Sequence, residues 1–248
     1  MYLIGDIGNT DIKIFLFNTK FKIIKKIRFS TESLSNKFLY RKLKFLNTYK
    51  KQNIKILFCS VVPKSYNLIK LNIKKILKKP CYELKNYNLN KLVKIKVNKK
   101  QIGSDRLANA ISVLDNKSNF IIVDFGTATN FDIVIKNKYI GGIIAPGIIL
   151  SLNNLINKAS LIPDTKLVKI KNVIGKNTNS AIRSGFYHGY SGLIDNIIKL
   201  IIKQTNKSFK IIFTGGLSHL FKNSIKRKVK IEKDLTINGV LNVAKNFK

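Results

Sequence analysis

The stretch Leu3-Ile4-Gly5-Asp6-Ile7-Gly8-Asn9-Thr10, followed by the apolar positions Ile12, Ile14, Leu16 and Phe17, recurs later in the chain. The second copy reads Ile121-Ile122-Val123-Asp124-Phe125-Gly126-Thr127-Ala128-Thr129 and runs into Phe131, Ile133, Val134 and Ile135. Each copy is an apolar run, an acid, a glycine, small hydroxyl or amide residues, and a second apolar run. That order predicts a buried strand, a tight turn and a returning strand. Its repetition predicts a chain built from two similar halves.

Such a turn has chemical uses. Glycine lets backbone N–H groups approach an anion, hydroxyls add donors, and the acid at the strand end can hold a cation that the anion needs. Two such turns facing each other would make a cleft for a polyphosphate and its metal. One Asp-x-Gly-x-Thr is weak evidence, because strand-ending Asp-Gly turns are common. The functional reading gains its weight from the repetition, with other motifs in order between and after the copies.

At 248 residues, 45% of them hydrophobic, the chain can fill one large core or two smaller ones. Its start, Met1 to Asp6, lacks a basic region and meets an acid within a few residues, so neither a secretory signal nor an anchor is expected. The longest apolar stretch, Tyr139 to Leu150, is too short to span a membrane and contains Gly141, Gly142, Pro146 and Gly147. Cys59 and Cys81 have no metal-ligand spacing and suggest reduced thiols in a cytoplasm. The net charge of +35 invites a nucleic-acid or membrane reading. However, only five of the 47 basic residues are arginines (Arg28, Arg41, Arg106, Arg183 and Arg227), and the lysines are scattered over every segment. Lysine, asparagine and isoleucine are inflated together and tryptophan is absent, as codon drift in an AT-rich genome would produce. Non-specific affinity for polyanions is then the only nucleic-acid binding expected.

In chain order, strands are predicted at Tyr2–Ile7, Ile12–Phe17 and Lys22–Phe29, followed by a helix opened by Thr31 and Glu32. Ile54–Val62 reads as a strand ended by Pro63, Tyr66–Leu77 as a helix, and Cys81–Leu84 and Leu92–Val97 as short strands. Gly103-Ser104-Asp105-Arg106 leads into an apolar helix. Asp105 is there a cap, or else an acid beside a guanidinium that could handle a substrate hydroxyl and carboxylate. Tyr139–Gly147 predicts a strand passing into a turn and helix. Ile174–Ser180 precedes a helix carrying Gly185 and Gly189, in which Thr178 is a substrate contact or an N-cap. His188 reads as packed or surface rather than catalytic. Gly192–Ile202 predicts a further helix, and Lys210–Phe213 a strand ending in Thr214-Gly215-Gly216, suited to a nucleoside. The tail, Asp234–Phe247, reads as a turn and closing helix.

This ordered set resembles the type III pantothenate kinases of the acetate and sugar kinase/Hsc70/actin superfamily, over nearly the whole chain. Asp6-Ile7-Gly8-Asn9-Thr10 looks like the family's first phosphate motif, Gly103-Ser104-Asp105-Arg106 like its pantothenate motif, and Asp124-Phe125-Gly126-Thr127-Ala128-Thr129 like the second phosphate motif. Gly141 to Gly147, Asn177-Thr178 and Gly215-Gly216 match the remaining signatures in order. The resemblance implies an α/β fold of two ribonuclease H-like halves, residues 1–116 and 117–248, each a mixed sheet flanked by helices, with the nucleotide cleft between them. It implies a homodimer that uses ATP and magnesium to phosphorylate the primary hydroxyl of pantothenate, the first step of coenzyme A synthesis.

By position, Asp105 would be the general base and Arg106 would hold the pantothenate carboxylate, with Gly103, Ser104 and Thr178 also on that substrate. Asp6, Ile7, Gly8, Asn9, Thr10, Asp11, Ile12 and Lys13, with Thr127, Gly215 and Gly216, would cradle ATP. Asp6 would lie near magnesium, and Asp124 would hold a monovalent cation, potassium or ammonium. Family members often carry an aromatic residue shortly before the pantothenate motif, where this chain has Ile95 to Lys100. The alternatives are another small-molecule kinase of the superfamily, or a basic nucleic-acid-binding or regulatory protein on a kinase fold that has lost its reaction.

Overall fold

The computed structural model describes residues 1–32 and 34–246. Its strands are β1 (Tyr2–Ile7), β2 (Asp11–Phe17), β3 (Ile23–Ser30), β4 (Lys55–Ser60), β5 (Tyr82–Glu83), β6 (Lys94–Ile95), β7 (Asn119–Phe125), β8 (Ala128–Ile135), β9 (Lys138–Pro146), β10 (Lys210–Gly215) and β11 (Val229–Ile231). Its helices are α1 (Asn36–Leu43), α2 (Pro63–Leu77), α3 (Ser104–Ser112), α4 (Ile148–Lys158), α5 (Thr178–Thr205), α6 (Ser218–Phe221) and α7 (Leu235–Asn246).

Two compact units result. The first comprises Met1–Leu114, Asn137–Tyr139 and the chain from Asp234 onward; the second comprises Asp115–Lys136 and Ile140–Lys233. In the first unit the strand order is β3-β2-β1-β4-β5, with β1, β2 and β3 antiparallel and β1, β4 and β5 parallel. In the second, the order β9-β8-β7-β10-β11 repeats it, with β7 and β8 antiparallel and β7, β10 and β11 parallel. The two copies of the opening phrase therefore occupy equivalent places, each a central strand and its antiparallel neighbour.

Continuous apolar runs form these central strands because both sheet faces are covered. In the first unit α1 and α2 pack over Leu3, Ile7, Ile14, Ile56 and Phe58, while α3 and α7 lie against β1 and β4. In the second, α5 packs Ile194, Ile198 and Ile201 against Ile121, Val123, Phe131 and Phe213.

Several boundaries differ from the sequence reading. The first helix begins at Asn36, where the Ser35 hydroxyl accepts the Phe38 N–H at 3.1 Å. Thr31 instead braces the first turn, its N–H donating to Thr10 O and its hydroxyl to Gly8 O. Ser33, inside the expected helix, lies outside the described residues. Pro63 opens α2 rather than merely ending β4, because its fixed φ suits the first helical position. The two helices expected around Gly185 and Gly192 are one, α5. Each glycine costs a helix about 1 kcal/mol, which the buried Tyr187, Ile194 and Ile198 offset.

The closing helix forms as expected, with Phe247 outside the described residues. It groups with the first unit rather than with residues 117–248. The reason is local: Gly239 lets α7 meet α3 so closely that a Cβ there would sit 1.8 Å from Ala108 O. Thr236 Oγ1 also donates to Asn109 Oδ1 at 2.9 Å, and Lys55 Nζ to Ala244 O at 2.8 Å.

Candidate active-site residues

In the first unit Asp6 stands one residue before the end of β1, half-buried, with Lys13 opposite it on β2 and Cys59 opposite it on β4. Side chains at directly opposed positions share a face of the sheet, so Asp6 has a cation on one side and a thiol on the other. The Cys59 thiol donates to Asp6 Oδ1 at 3.5 Å. Burial, then Asp6 and Asp105, push that thiol well above its usual pKa, so it stays protonated. The turn is closed by the Gly8 N–H donating to Asp11 O at 3.0 Å. Asn9 and Thr10 project into solvent at its tip. Ile7 and Ile12 are core residues, so only their backbones can serve a ligand. The Asp11 carboxylate is engaged by Arg28 at 2.5 Å across the β2–β3 pair.

The pantothenate-type motif sits at the start of α3. Gly103 is the N-cap, and a Cβ on it would lie 2.3 Å from Asp105 Oδ1. Only glycine leaves Asp105 where it is. Asp105 is therefore no N-cap; its Oδ1 accepts the N–H of Arg106 at 2.8 Å from within the first turn. Burial raises its pKa, against the lowering effects of that N–H and of the Arg106 charge. A carboxylate so raised is a stronger proton acceptor than an ordinary aspartate.

Ser104 was expected on the substrate, but its side chain is otherwise occupied. It is 1% exposed, and its hydroxyl accepts the Ser60 N–H at 2.8 Å and donates to Ser60 O at 2.9 Å. The motif is thereby pinned to the end of β4, and Ser104 can meet a ligand through its backbone alone. Near this pin, Glu83 on β5 accepts the Lys85 N–H at 2.6 Å, and burial raises its carboxyl above the usual range.

In the second unit Asp124 occupies the place of Asp6. Its neighbours are Asn130 on β8 and Thr214 on β10, an amide and a hydroxyl. The turn is shorter by one residue: Phe125 pairs with Thr129, whereas Ile7 pairs with Ile12. Gly126 N–H donates to Ala128 O at 3.1 Å, and Thr127 is exposed at the tip. Two glycines wedge this turn from outside. A Cβ on Gly147 would sit 2.0 Å from Thr127 O, and one on Gly215 would sit 2.7 Å from Asp124 Oδ1. Gly215 also has φ +84°, which side chains rarely adopt. Gly216 N–H donates to Phe125 O at 3.2 Å, and Ser218 Oγ to Gly215 O at 2.9 Å.

Thr178 is the first residue of α5 and is not its cap. Asn177 is, in a reciprocal pair with Ser180. The Thr178 side chain is therefore not needed to cap the helix. His188 lies half-buried on α5 with its ring 5.2 Å from that of Tyr187, a packed residue as expected. Among the described residues no three His, Cys, Asp or Glu side chains gather to hold a metal ion. Nor is any described helix long and apolar enough to cross a membrane. Sequence reasoning missed Ser60, Cys59 and Glu83. The unbroken apolar run of β4 marks Cys59 as buried, but only the register of β1 with β4 places it beside Asp6.

A family model described as type III pantothenate kinase matches residues 2–200. A type III pantothenate kinase of Pelagibacter ubique is 59% identical over 97% of both chains. One of Sulfurihydrogenibium sp. is 35% identical over 97% of this chain and 98% of that one. The crystal structure of an inorganic polyphosphate/ATP-glucomannokinase from Arthrobacter sp. superimposes with a TM-score of 0.50 at 12% identity, covering 99% of each chain. That likeness shows the fold alone, two mixed sheets flanked by helices. The matched motifs span both repeated strand–turn–strand units and the Gly-Ser-Asp-Arg helix entrance, and the chain belongs to the type III pantothenate kinase family.

Proposed function

We propose that Asp105 is the general base in the reaction of this family, the ATP-dependent phosphorylation of the primary hydroxyl of pantothenate to 4'-phosphopantothenate. The observation that carries this reading is the half-buried, glycine-accommodated carboxylate at the start of α3 with its raised pKa. Asp105 takes the hydroxyl proton as the oxygen bonds to the γ-phosphorus and the bond to ADP breaks. Arg106 holds the pantothenate carboxylate, for which a guanidinium is the fitting partner. Gly103 and Thr178 complete the contacts assigned to that substrate.

The first turn, Asp6 to Lys13, binds ATP phosphates through backbone N–H groups and the Lys13 ammonium. Thr127, Gly215 and Gly216 serve ATP from the second unit. The donor sets fit two different cations. Asp6 offers one carboxylate, which suits a magnesium ion otherwise held by phosphates and water. Asp124 is flanked by the neutral oxygens of Asn130 and Thr214, which suit a singly charged cation. When bound, these ions neutralise phosphate charge as the bond to ADP breaks.

A homodimer is supported by charge. A chain of +35 repels its own copy wherever lysines lie. Tyr139 to Asn157 contains no lysine or arginine, yet exposes Ile143, Ile144, Ile149, Leu150 and Leu155. Ser184 to Ile198 is equally free of lysine and arginine and exposes Gly185, Gly189 and Gly192 with open space above each. This neutral, apolar surface suits a second copy rather than a polyanion. The reading also places the enzyme in the cytoplasm, where ATP and reduced thiols coexist; both cysteines are free and buried.

A coupled assay of ADP release, with and without pantothenate and in potassium and then sodium buffer, tests the reading. Pantothenate-dependent turnover that needs potassium is expected. Turnover indifferent to pantothenate would overturn the substrate assignment, and equal rates in both buffers the cation assignment. Sedimentation at micromolar concentration tests the dimer, with Ile144→Asp expected to give monomers.

A further inference from the structure

We infer that the Cys59 thiol is a positioning group for Asp6, donating to one oxygen of that carboxylate and so fixing the orientation in which it meets ATP. The inference rests on the proposed placement of Asp6 at the ATP phosphates. The torsion that turns an aspartate's carboxylate plane is broad and roughly two-fold, so rotamer preference alone does not set it. Something else must. Cys59 is 0% exposed and stands directly across the parallel β1–β4 ladder from Asp6, with Sγ 3.5 Å from Oδ1. A donor sealed from water cannot be exchanged for a solvent molecule, so the contact persists whether or not nucleotide is bound.

A plain core filler would fit this position poorly. Ser104 and Ser60 close the same end of β4 with backbone–hydroxyl bonds. A small buried side chain that donates to Asp6 satisfies these surroundings. Valine would fill the space without donating.

The test compares Cys59→Ala, Cys59→Ser and Asp6→Asn in the full chain. Binding of a non-hydrolysable ATP analogue with magnesium is measured by calorimetry without pantothenate, and KM is then measured for each substrate. Cys59→Ala is expected to weaken nucleotide binding about tenfold, the lower end for lost outer-sphere support of a metal or phosphate ligand. The KM for ATP should rise in parallel and that for pantothenate should hold. Cys59→Ser restores a donor and should recover affinity to within about threefold of the parent. Wild-type nucleotide affinity in Cys59→Ala, or a serine variant as weak as the alanine one, overturns the inference. Asp6→Asn separates the two levels. If it binds nucleotide normally, the placement of Asp6 is wrong; if it binds weakly while Cys59→Ala binds normally, only the role of the thiol fails.

Discussion

The turn after β1 and the turn after β7 share one topology and differ in what surrounds their acids. Asp6 faces a lysine and a thiol; Asp124 faces an amide and a threonine. The first turn has four residues between its closing pair, with an Arg28–Asp11 ion pair at its flank. The second has three, with glycines packed against it from the start of α4 and the end of β10. The two turns therefore share a backbone plan and differ in side chains, and the proposed roles of their acids follow that difference. An acid beside a lysine suits a phosphate and its bridging ion. An acid among neutral oxygens keeps a net negative charge for a single cation.

A second asymmetry is larger. Among the described residues, the half-buried aspartate at the start of α3 belongs to the first unit, so the proposed base lies there. Asp105→Asn should lower kcat by roughly 10²–10⁴-fold, the usual worth of a general base, with nucleotide affinity unchanged by calorimetry. Near-full activity would remove the functional distinction between the units.

The cation contrast comes next. Asp124→Ala should lose most turnover, about 10²-fold, together with the difference between potassium and sodium. Asp6→Ala should keep that difference in whatever activity remains. Steady-state rates in the two salts decide it. If both variants keep the difference, the two acids are not specialised as their neighbours suggest.

On the phosphate side, Lys13→Met should raise the KM for ATP about tenfold, as expected for loss of one charge-assisted contact. Asn130→Lys, which gives the second turn the first turn's cation, should instead abolish potassium activation.

The glycines sharpen the packing difference. Gly215→Ala forces a side chain into a left-handed backbone and against Asp124, costing about 2 kcal/mol or more. Gly126→Ala meets only Ala128 O at 3.6 Å, an ordinary contact, and should change thermal stability little. Thermal unfolding of the two variants measures the gap.

The smallest effect concerns pH. Asp105 has a folded-state pKa above its ordinary 3.8, so the folded chain holds that proton more tightly than the unfolded chain. Its contribution to stability is thus full below pH 3.8 and is lost as pH rises through the raised value. Asp105→Asn should melt slightly above the parent at neutral pH, with the gain vanishing in acid. Conversely, kcat/KM of the parent should fall as pH drops through that same raised value, where the base becomes protonated.

Much of the fold was legible in the amino-acid order. The repeated apolar–acid–glycine phrase specified two strand–turn–strand units, because buried strands need unbroken apolar runs and their turns need glycine. The Gly-Ser-Asp-Arg stretch marked a helix entrance, and the order of motifs identified the family. Local residue chemistry is enough for such features.

What the tertiary structure decided is pairing. The sequence contains Cys59 and Asp6 far apart, and only parallel register brings them within hydrogen-bond reach. It contains Ser104 as a polar motif residue, and only the position of β4 turns its hydroxyl into a buried pin. It contains a closing helix, and only its packing, with the bare Cα of Gly239 against Ala108 and hydrogen bonds to Asn109 and Lys55, assigns that helix to the first unit. Residue type sets what a side chain can do and periodicity sets which side it faces. Which distant residue it meets depends on strand register and helix contact distance, and both are set by packing over the whole unit.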